Sequence, residues 1–262
     1  MEESIVIEAV NKVRIDMPRI GTRKLLVKLL DQGIAIGRDA LFDILGRHNL
    51  LIRRKRTKVF TTHSYHWFRK YPNLIKGLEL SRPNQLWVCD ITYVETDGGF
   101  VYLFLITDAY SRKIVGFKVA DNLEAKNAVE ALQMALEAAG DPVDLIHHSD
   151  RGIQYCCNEY VKVLNSHKVS ISMTENGDPL ENAIAERVNG ILKVEWLYDQ
   201  KFKTFEQAKK YIARIIDVYN SLRPHSSIEM LTPEEAHRRT GELERKWKNY
   251  YKAELKASCE AT

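Results

Sequence analysis

Hydrophobic residues near the N-terminus recur at helical spacing in two short stretches. One helix is predicted from about Gly21 to Asp31 and another from Asp39 to His48. In each, the apolar residues fall on one side: Leu25, Leu26, Leu29 and Leu30, then Leu41, Phe42, Ile44 and Leu45. The glycines of QGIAIGR break the pattern between them. The pair is therefore either a helix-turn-helix or a plain helical hairpin.

From residue 84 the pattern changes to short β-like runs that alternate with helical ones. Strands are predicted over 85–95, 100–108, 113–120, 144–148 and 169–173, and helices over 122–139 and 158–167. The TDGG between the first two strands is typical of a hairpin. This order predicts an α/β protein with a mixed five-stranded sheet, the order of the ribonuclease H-like fold.

More helices are predicted after the sheet. The segment TENGDPLENA is loop-like, and it either closes over a substrate or simply connects two elements. A helix then carries Glu186 to about Tyr198, and another begins near Thr204 and ends before Pro224. Thr232 caps a short helix that should end near Arg239, before a basic helical tail.

Composition is that of a soluble globular protein, with 45% hydrophobic and 28% charged residues in 262. No run is long enough to span a bilayer, and the N-terminus has no signal-peptide pattern. The four cysteines show no metal or disulfide spacing, which favours a reducing cytoplasm. His63 and His66 lack a cysteine pair at ligand spacing, so we interpret them as solvated rather than zinc-binding.

Charge is unevenly distributed. Residues 1–70 carry 15 Lys and Arg against 7 Asp and Glu, whereas residues 71–200 carry 11 against 19 and residues 201–262 carry 13 against 9. Basic ends suit a polyanion such as DNA, and an acidic middle suits metal ions. The basic run RRKRTK, which begins at Arg53, either lies on phosphates or is a solvated linker.

Three acidic residues are candidates for one metal site. Asp90 lies in a buried strand, Asp150 ends another strand, and Glu186 lies on a helix, with 35 residues between it and Asp150. Three carboxylates at one place repel one another unless a divalent cation lies among them, and their oxygens suit Mg²⁺ or Mn²⁺. Each acid alone has an ordinary structural explanation. Asp108, also at a strand end, is a rival ligand whose TDAYSR context indicates a turn.

Several motifs in this order resemble the integrase-like DDE transposases of bacterial insertion sequences, in the two-frame group. They are PNQLWVCDITYV, YLFLITDAYSRKIVGF, HSDRGIQY, SISMTENGDPLENAIAERVNGILKVE and YNSLRPH with its trailing TPEEA, and they cover about Pro83–Ala236. His148 and Gly152 flank the second acid as in the family. Cys89 departs from the small or polar residue expected there, and we interpret it as buried packing.

The resemblance implies four parts: a helix-turn-helix-like DNA-binding module at 1–60, a linker at 61–83, a ribonuclease H-like integrase core at 84–200 and a basic helical extension at 201–262. Asp90, Asp150 and Glu186 match the catalytic acids that bind two Mg²⁺ or Mn²⁺ ions, with Asp90 bridging both. Lys193, two helical turns after Glu186, matches a basic residue of the family, and it either reaches a DNA phosphate or is an ordinary solvated lysine. The other candidate DNA-binding residues are Arg38, Arg47, Arg53, Arg54, Lys55 and Arg56.

The resemblance also implies strand cleavage followed by strand transfer at the ends of an element. Expected partners are terminal inverted repeats and target DNA, further copies of the chain, and a first-frame partner protein or fusion, in the bacterial cytoplasm near the nucleoid. Two alternatives remain open. One is a nuclease of the same fold that only hydrolyses, and the other is a DNA-binding protein with a dormant core, which the presence of all three acids disfavours.

Overall fold

The computed structural model describes residues 3–52, 67–140, 142–175 and 182–244. Three helices come first: α1 (Glu3–Asp16), α2 (Thr22–Asp31) and α3 (Arg38–Arg47). The second and third match the predicted pair within one residue. Helix α1 was not predicted, although its buried residues Val6, Ala9, Val10 and Val13 have helical spacing. They are small and lie among charged residues, so the stripe is inconspicuous in the sequence.

The sheet has five strands, β1 (Leu86–Thr96), β2 (Gly99–Asp108), β3 (Ile114–Ala120), β4 (Ile146–Ser149) and β5 (Ser170–Met173), in the order β3-β2-β1-β4-β5. Strands β1, β2 and β3 are antiparallel, whereas β4 runs parallel to β1 and to β5. Strand β4 pairs only with Leu86–Val88 of β1. Beyond Val88, β1 pairs with β2 on one side, and its other edge is open to the helices as far as Thr96, which forms a single bridge with Phe202.

Six further helices are α4 (Ala125–Ala139), α5 (Ile153–Cys156), α6 (Asn158–Ser166), α7 (Ala183–Leu192), α8 (Phe205–Ser221) and α9 (Pro233–Ala236). The helix predicted to run to about Tyr198 is helical over that length, but its last turn is π-helical rather than α-helical. Helix α7 ends at Leu192 and continues as a π-helical turn, Lys193–Leu197, in which the N–H of Tyr198 donates to the carbonyl of Lys193 at 2.9 Å. The wider turn lets Glu195 and Trp196 both reach partners outside the helix.

Helices cover both faces of the sheet. On one face α4 and α6 form a core with residues such as Trp87, Phe104 and Leu132. Helix α4 lies so close to β3 that a side chain at Gly116 would clash with the carbonyl of Ala131. On the other face α7 and α8 share a single core with α1, α2 and α3. The N-terminal helices are thus packed on the same hydrophobic core as the sheet, through residues such as Ile20.

Residues 67–83, within the predicted linker, contain no helix or strand but lie against β5. The N–H of Leu74 donates to Ser172 Oγ at 2.9 Å, and the N–H of Met173 donates to the carbonyl of Pro72 at 3.3 Å. Across the described ranges, none of the helices is both long and apolar enough to cross a membrane. The RRKRTK run, His63, His66, most of the TENGDPLENA loop and the chain after residue 244 lie outside the described residues.

Candidate active site

Asp90 lies in β1 just past the point where β4 stops pairing. Side chains alternate along a strand, and Cys89 belongs to the core under α4, so Asp90 faces α7 on the opposite side. Its carboxylate is held at both oxygens. The N–H of Ile91 donates to Oδ1 at 2.9 Å, and Nδ2 of Asn189 in α7 donates to Oδ2 at 2.8 Å.

Asp150 follows β4 directly and lies level with Asp90. Val88 is paired with His148, and extending this parallel register by two residues brings the two acids opposite each other. The N–H of Gly152 donates to Asp150 Oδ1 at 2.9 Å. A Cβ at Gly152 would lie 2.9 Å from the same oxygen, so a side chain here would push the Asp150 carboxylate out of its position.

Glu186 lies in the first turn of α7, with its side chain exposed. Partial burial and the charge of Asp150 raise its pKa. Helix α7 is fixed against β1 by the Asn189–Asp90 hydrogen bond, which comes one helical turn after Glu186. The three predicted acids are therefore brought within electrostatic range of one another by a strand, a strand end and a helix.

The electrostatics of Asp90 reflect this convergence. Burial raises its pKa to about 7, the charge of Asp150 adds to the effect, and Glu186 adds further, while the hydrogen bonds from Asn189 and Ile91 oppose it. Within residues 3–52, 67–140, 142–175 and 182–244, no three His, Cys, Asp or Glu side chains are gathered closely enough to hold an ion. The site is thus a set of mutually repelling carboxylates rather than a closed cage.

Two asparagines complete the site and were missed by sequence reasoning. Asn189 holds Asp90, and Nδ2 of Asn182 donates to the carbonyl of Cys89 at 2.9 Å, on the edge of β1 that β4 leaves open. Both asparagines are buried. Their spacing from Glu186 could have indicated them. Asn182 comes four residues before it and Asn189 three residues after it, which places all three near the same helical face.

Lys193 begins the π-helical turn and lies within electrostatic range of Asp90. Its pKa is lowered by burial, and the charge of Asp90 acts in the opposite direction. Its ammonium lies 4.6 Å from the centre of the Tyr93 ring. The structure therefore brings together Lys193 and the three acids, four of the residues singled out from the sequence.

The other candidate DNA-binding residues lie elsewhere. Arg38 and Arg47 are exposed at opposite ends of α3, where Arg38 pairs with Asp39 at 2.8 Å and Arg47 pairs with Glu3 of α1. Arg38 also lines a cleft of about 520 Å³ with Arg23 and other residues at the starts of α2 and α3. Arg53, Arg54, Lys55 and Arg56 lie outside the described residues.

Comparison with known proteins identifies the family. Two models, each described as an integrase core domain, match residues 81–179 and 167–233. The insertion element IS600 uncharacterized 31 kDa protein of Shigella sonnei is 36% identical, over 81% of this chain and 79% of its own length. The transposase InsF for insertion sequence IS3A of Escherichia coli is 33% identical, over 89% of this chain and 81% of its own length. The chain belongs to the integrase-like transposases of bacterial insertion sequences.

The fold of the transposase agrees with that of a solved structure. A chain of the simian T-cell lymphotropic virus intasome in complex with PP2A regulatory subunit B56 gamma has a TM-score of 0.53 and 16% identity, covering 92% of this chain and 78% of that one. The predicted ribonuclease H-like core is confirmed, and so are the enzyme class, a DDE polynucleotidyl transferase, and the function, transposition. The predicted domain boundaries and site residues stay predictions.

A buried ionic cluster fixes the π-helical turn of the transposase. Arg223, which is fully buried, donates through Nε and Nη2 to the two oxygens of Glu195 at 2.7 and 2.6 Å. Lys24 of α2 reaches the same carboxylate at 3.2 Å. Burial lowers the pKa of Lys24 to about 8, with the charge of Arg223 acting in the same direction. The helix that carries Glu186 is therefore tied, at Glu195, to α2 and to the YNSLRPH turn.

Cys89, the residue that departs from the family pattern, is buried and hydrogen-bonded. Its Sγ lies 2.7 Å from His147 Nε2, which also lies 2.8 Å from the hydroxyl of Tyr160. Burial lowers the pKa of His147 to about 3, so the imidazole is neutral. This cluster joins β1 to β4 and α6 on the face of the sheet opposite the acids. Cys89 therefore has a polar contact as well as the packing role predicted for it.

Asp108, the rival metal ligand, is a buried turn residue. Its Oδ1 accepts from the N–H and the hydroxyl of Ser111, each at 2.7 Å, and its Oδ2 accepts from the N–H of Asn84 at 2.7 Å. Both oxygens are therefore occupied by the turns at the end of β2 and the start of β1. This arrangement supports the structural interpretation of Asp108.

Proposed function

We propose that the transposase cleaves the DNA strands at the ends of its element and joins them to target DNA at a site formed by Asp90, Asp150 and Glu186. The observation that carries this proposal is the raised pKa of Asp90. A strand-centre carboxylate that is half-buried beside two other carboxylates is costly, and a protein retains such a cluster where a cation offsets the repulsion.

The donor set fits hard divalent cations such as Mg²⁺ or Mn²⁺, which prefer carboxylate oxygens. We assign two ions to the site: Asp90 would help to hold both, Asp150 would hold one and Glu186 would hold the other. Bound ions would supply Lewis-acid activation of the attacking oxygen and charge stabilisation at the departing one. Glu186 is exposed at the start of α7, so its side chain has room to move toward the other two acids.

The protein's own residues orient this chemistry. Asn189 and the N–H of Ile91 hold one oxygen each of Asp90, which leaves a lone pair on each oxygen for a cation. The N–H of Gly152 similarly fixes Asp150. Lys193 would neutralise a DNA phosphate beside the acids, since its ammonium lies within electrostatic range of Asp90. Transfer needs no covalent enzyme intermediate, because water or a DNA 3′-hydroxyl is the nucleophile.

DNA is the proposed partner, in the form of terminal inverted repeats and target DNA. The basic N-terminal part of the chain, with Arg38, Arg47 and the Arg53–Arg56 run, would contribute phosphate contacts. Action at two element ends calls for more than one copy of the chain. We also propose a first-frame partner or fusion, and a place of action in the bacterial cytoplasm at the nucleoid.

The substitution Asp150→Asn tests the site. It keeps the size of the side chain and its hydrogen bond from Gly152 but removes the charge, so we expect cleavage to fall more than a hundredfold while DNA binding stays near normal. Asp97→Asn, the same change at the exposed turn between β1 and β2, serves as the control. Cleavage by Asp150→Asn at the wild-type rate would refute the assignment.

A second assay separates transposition from simple hydrolysis. The full-length protein is incubated with an oligonucleotide that carries an element end with a free 3′-hydroxyl, together with a supercoiled plasmid and Mg²⁺. Covalent joining of the oligonucleotide to the plasmid is expected. Nicking without any joining would favour the hydrolytic nuclease instead.

A further inference from the structure

Lys193 has an unusual environment for a lysine beside three acids. Its side chain is half-buried, yet within the described part of the chain no carboxylate lies at ion-pair distance from its ammonium. The ammonium instead lies over the face of the Tyr93 ring, 4.6 Å from its centre. A half-buried ammonium has lost part of its hydration, and an aromatic face compensates for some of that loss.

Tyr93 is itself fixed in place. It lies in β1 three residues after Asp90, so its side chain starts on the opposite face of the sheet, and Lys193 reaches its ring across the edge of β1 that β4 leaves unpaired. On the neighbouring strand, Phe100 packs edge-to-face against it with ring centres 5.1 Å apart and an angle of 79° between the planes. Edge-to-face packing is a favoured geometry for aromatic pairs, and it sets the orientation of the Tyr93 ring.

We propose that Tyr93 is a positioning residue that holds Lys193 beside the active-site acids through a cation–π contact. This inference rests on the proposed function, in which Lys193 contacts a DNA phosphate at the site. A free lysine side chain samples many rotamers, and ordering it on DNA binding costs free energy. A ring that holds the ammonium near its working position before DNA arrives removes part of that cost.

The π-helical turn makes such a support necessary. Lys193 is the first residue of the turn, and Glu195 on its far side is bound by Arg223 and Lys24. These contacts fix the backbone of the turn but leave the four-carbon stem of Lys193 free to rotate. Tyr93 supplies the missing contact at the end of the stem, across from the helix.

A double-mutant cycle in the full-length protein tests the proposal. The variants are Tyr93→Phe, which keeps the ring, Tyr93→Leu, which removes it, Lys193→Met, which keeps the stem without the charge, and the double variant Tyr93→Leu/Lys193→Met. Each is assayed for cleavage of an element-end DNA with Mg²⁺ as a function of DNA concentration, and urea unfolding monitors stability.

With Tyr93→Leu, we expect the DNA concentration for half-maximal rate to rise about fivefold, with the rate at saturating DNA within about twofold of wild type. For Tyr93→Phe, both the half-maximal DNA concentration and the rate at saturating DNA should remain within about twofold of wild type. The double variant should be no worse than Lys193→Met alone, because the ring acts only through the lysine.

Three outcomes would overturn the proposal. The first is an equal rise in the half-maximal DNA concentration for Tyr93→Phe and Tyr93→Leu. The second is a double variant in which the effects of the two single substitutions multiply. The third is full activity of Lys193→Met. Failure of the proposed function looks different, since the wild-type protein itself would then neither cleave nor join DNA. A loss explained by unfolding would appear in the urea midpoint and would be absent in Tyr93→Phe.

Discussion

Replacing Asp90 with asparagine should stabilise the metal-free transposase at neutral pH while abolishing its activity. The reason is the repulsion that raises the pKa of Asp90 through burial and through the charges of Asp150 and Glu186. An amide carries no charge, so it escapes both the repulsion and the cost of burying an ion. Its shape still fits the site between Ile91 and Asn189.

The magnitude follows from the pKa. A rise from the ordinary value of 3.8 to about 7 corresponds to about 4 kcal/mol. Asp90 is half-buried and water screens part of the repulsion, so we expect about 2 kcal/mol. The folded state binds the proton more tightly than the unfolded state, so wild-type stability is lost as the pH rises from about 4 to about 7. The variant lacks this loss.

The hydrogen bonds of the site can adapt to the substitution. An asparagine at position 90 still accepts from the N–H of Ile91 but presents an NH₂ group to Asn189. Among the described residues, Oδ1 of Asn189 is buried without a hydrogen-bond partner, so a flip of that amide lets it accept from the new NH₂ group. The flip puts Nδ2 of Asn189 in the unpaired place that Oδ1 held, so the number of unpaired amide groups there does not increase.

Urea unfolding of wild type and Asp90→Asn in a chelating buffer measures the effect. The variant should be more stable at pH 8, and the difference should shrink as the pH falls toward 4.5. Added Mg²⁺ should raise the stability of the wild type much more than that of the variant, because binding to the folded state stabilises it. Equal or lower stability of Asp90→Asn at pH 8 without metal would refute the repulsion argument. Asp97→Asn, at an exposed turn, serves as the control.

Two other predictions use the surroundings of the acids. Gly152→Ala places a Cβ 2.9 Å from Asp150 Oδ1, so it should cut cleavage at least about tenfold with little change in the urea midpoint. The control is Gly190→Ala in α7, where the added Cβ meets open space. It should keep full activity and raise the free energy of unfolding by about 0.5–1 kcal/mol. Wild-type cleavage by Gly152→Ala would argue against Asp150. Arg223→Met leaves the buried carboxylate of Glu195 with Lys24 alone and should cost about 3–5 kcal/mol, whereas adding Glu195→Met should restore much of it. A double variant no more stable than the single one would contradict this reasoning.

The sheet was predictable because its strands carry strong local signals. The TDGG turn and the apolar runs that flank it set the β1–β2 hairpin, and the observed strand bounds differ from the predicted ones by one or two residues. The short helix at Thr232 was predicted from its cap, and the structure shows a full capping box between Thr232 and Glu235. Such features depend on neighbours in the sequence, so sequence reasoning captures them.

The features that were missed depend on tertiary contacts. The π-helical turn arises where Glu195 and Trp196 bind partners from distant parts of the chain, and nothing within the helix itself indicates it. The contact of Asn189 with Asp90 depends on how α7 crosses β1. The pairing of Lys193 with Tyr93 likewise requires that β4 be short enough to leave the edge of β1 open. Local patterns carry no information on these crossings.

The shared carboxylate of Glu195 has a practical consequence for protein engineering. Chimeras that exchange the N-terminal helices between related enzymes are an obvious route to new target preferences. Here such an exchange would separate Lys24 from Glu195 and would cut through a single hydrophobic core. A better graft would transfer residue 24 and its apolar neighbours together with the matching residues of the π-helical turn. Such hybrids should be soluble and active more often than hybrids joined at the linker.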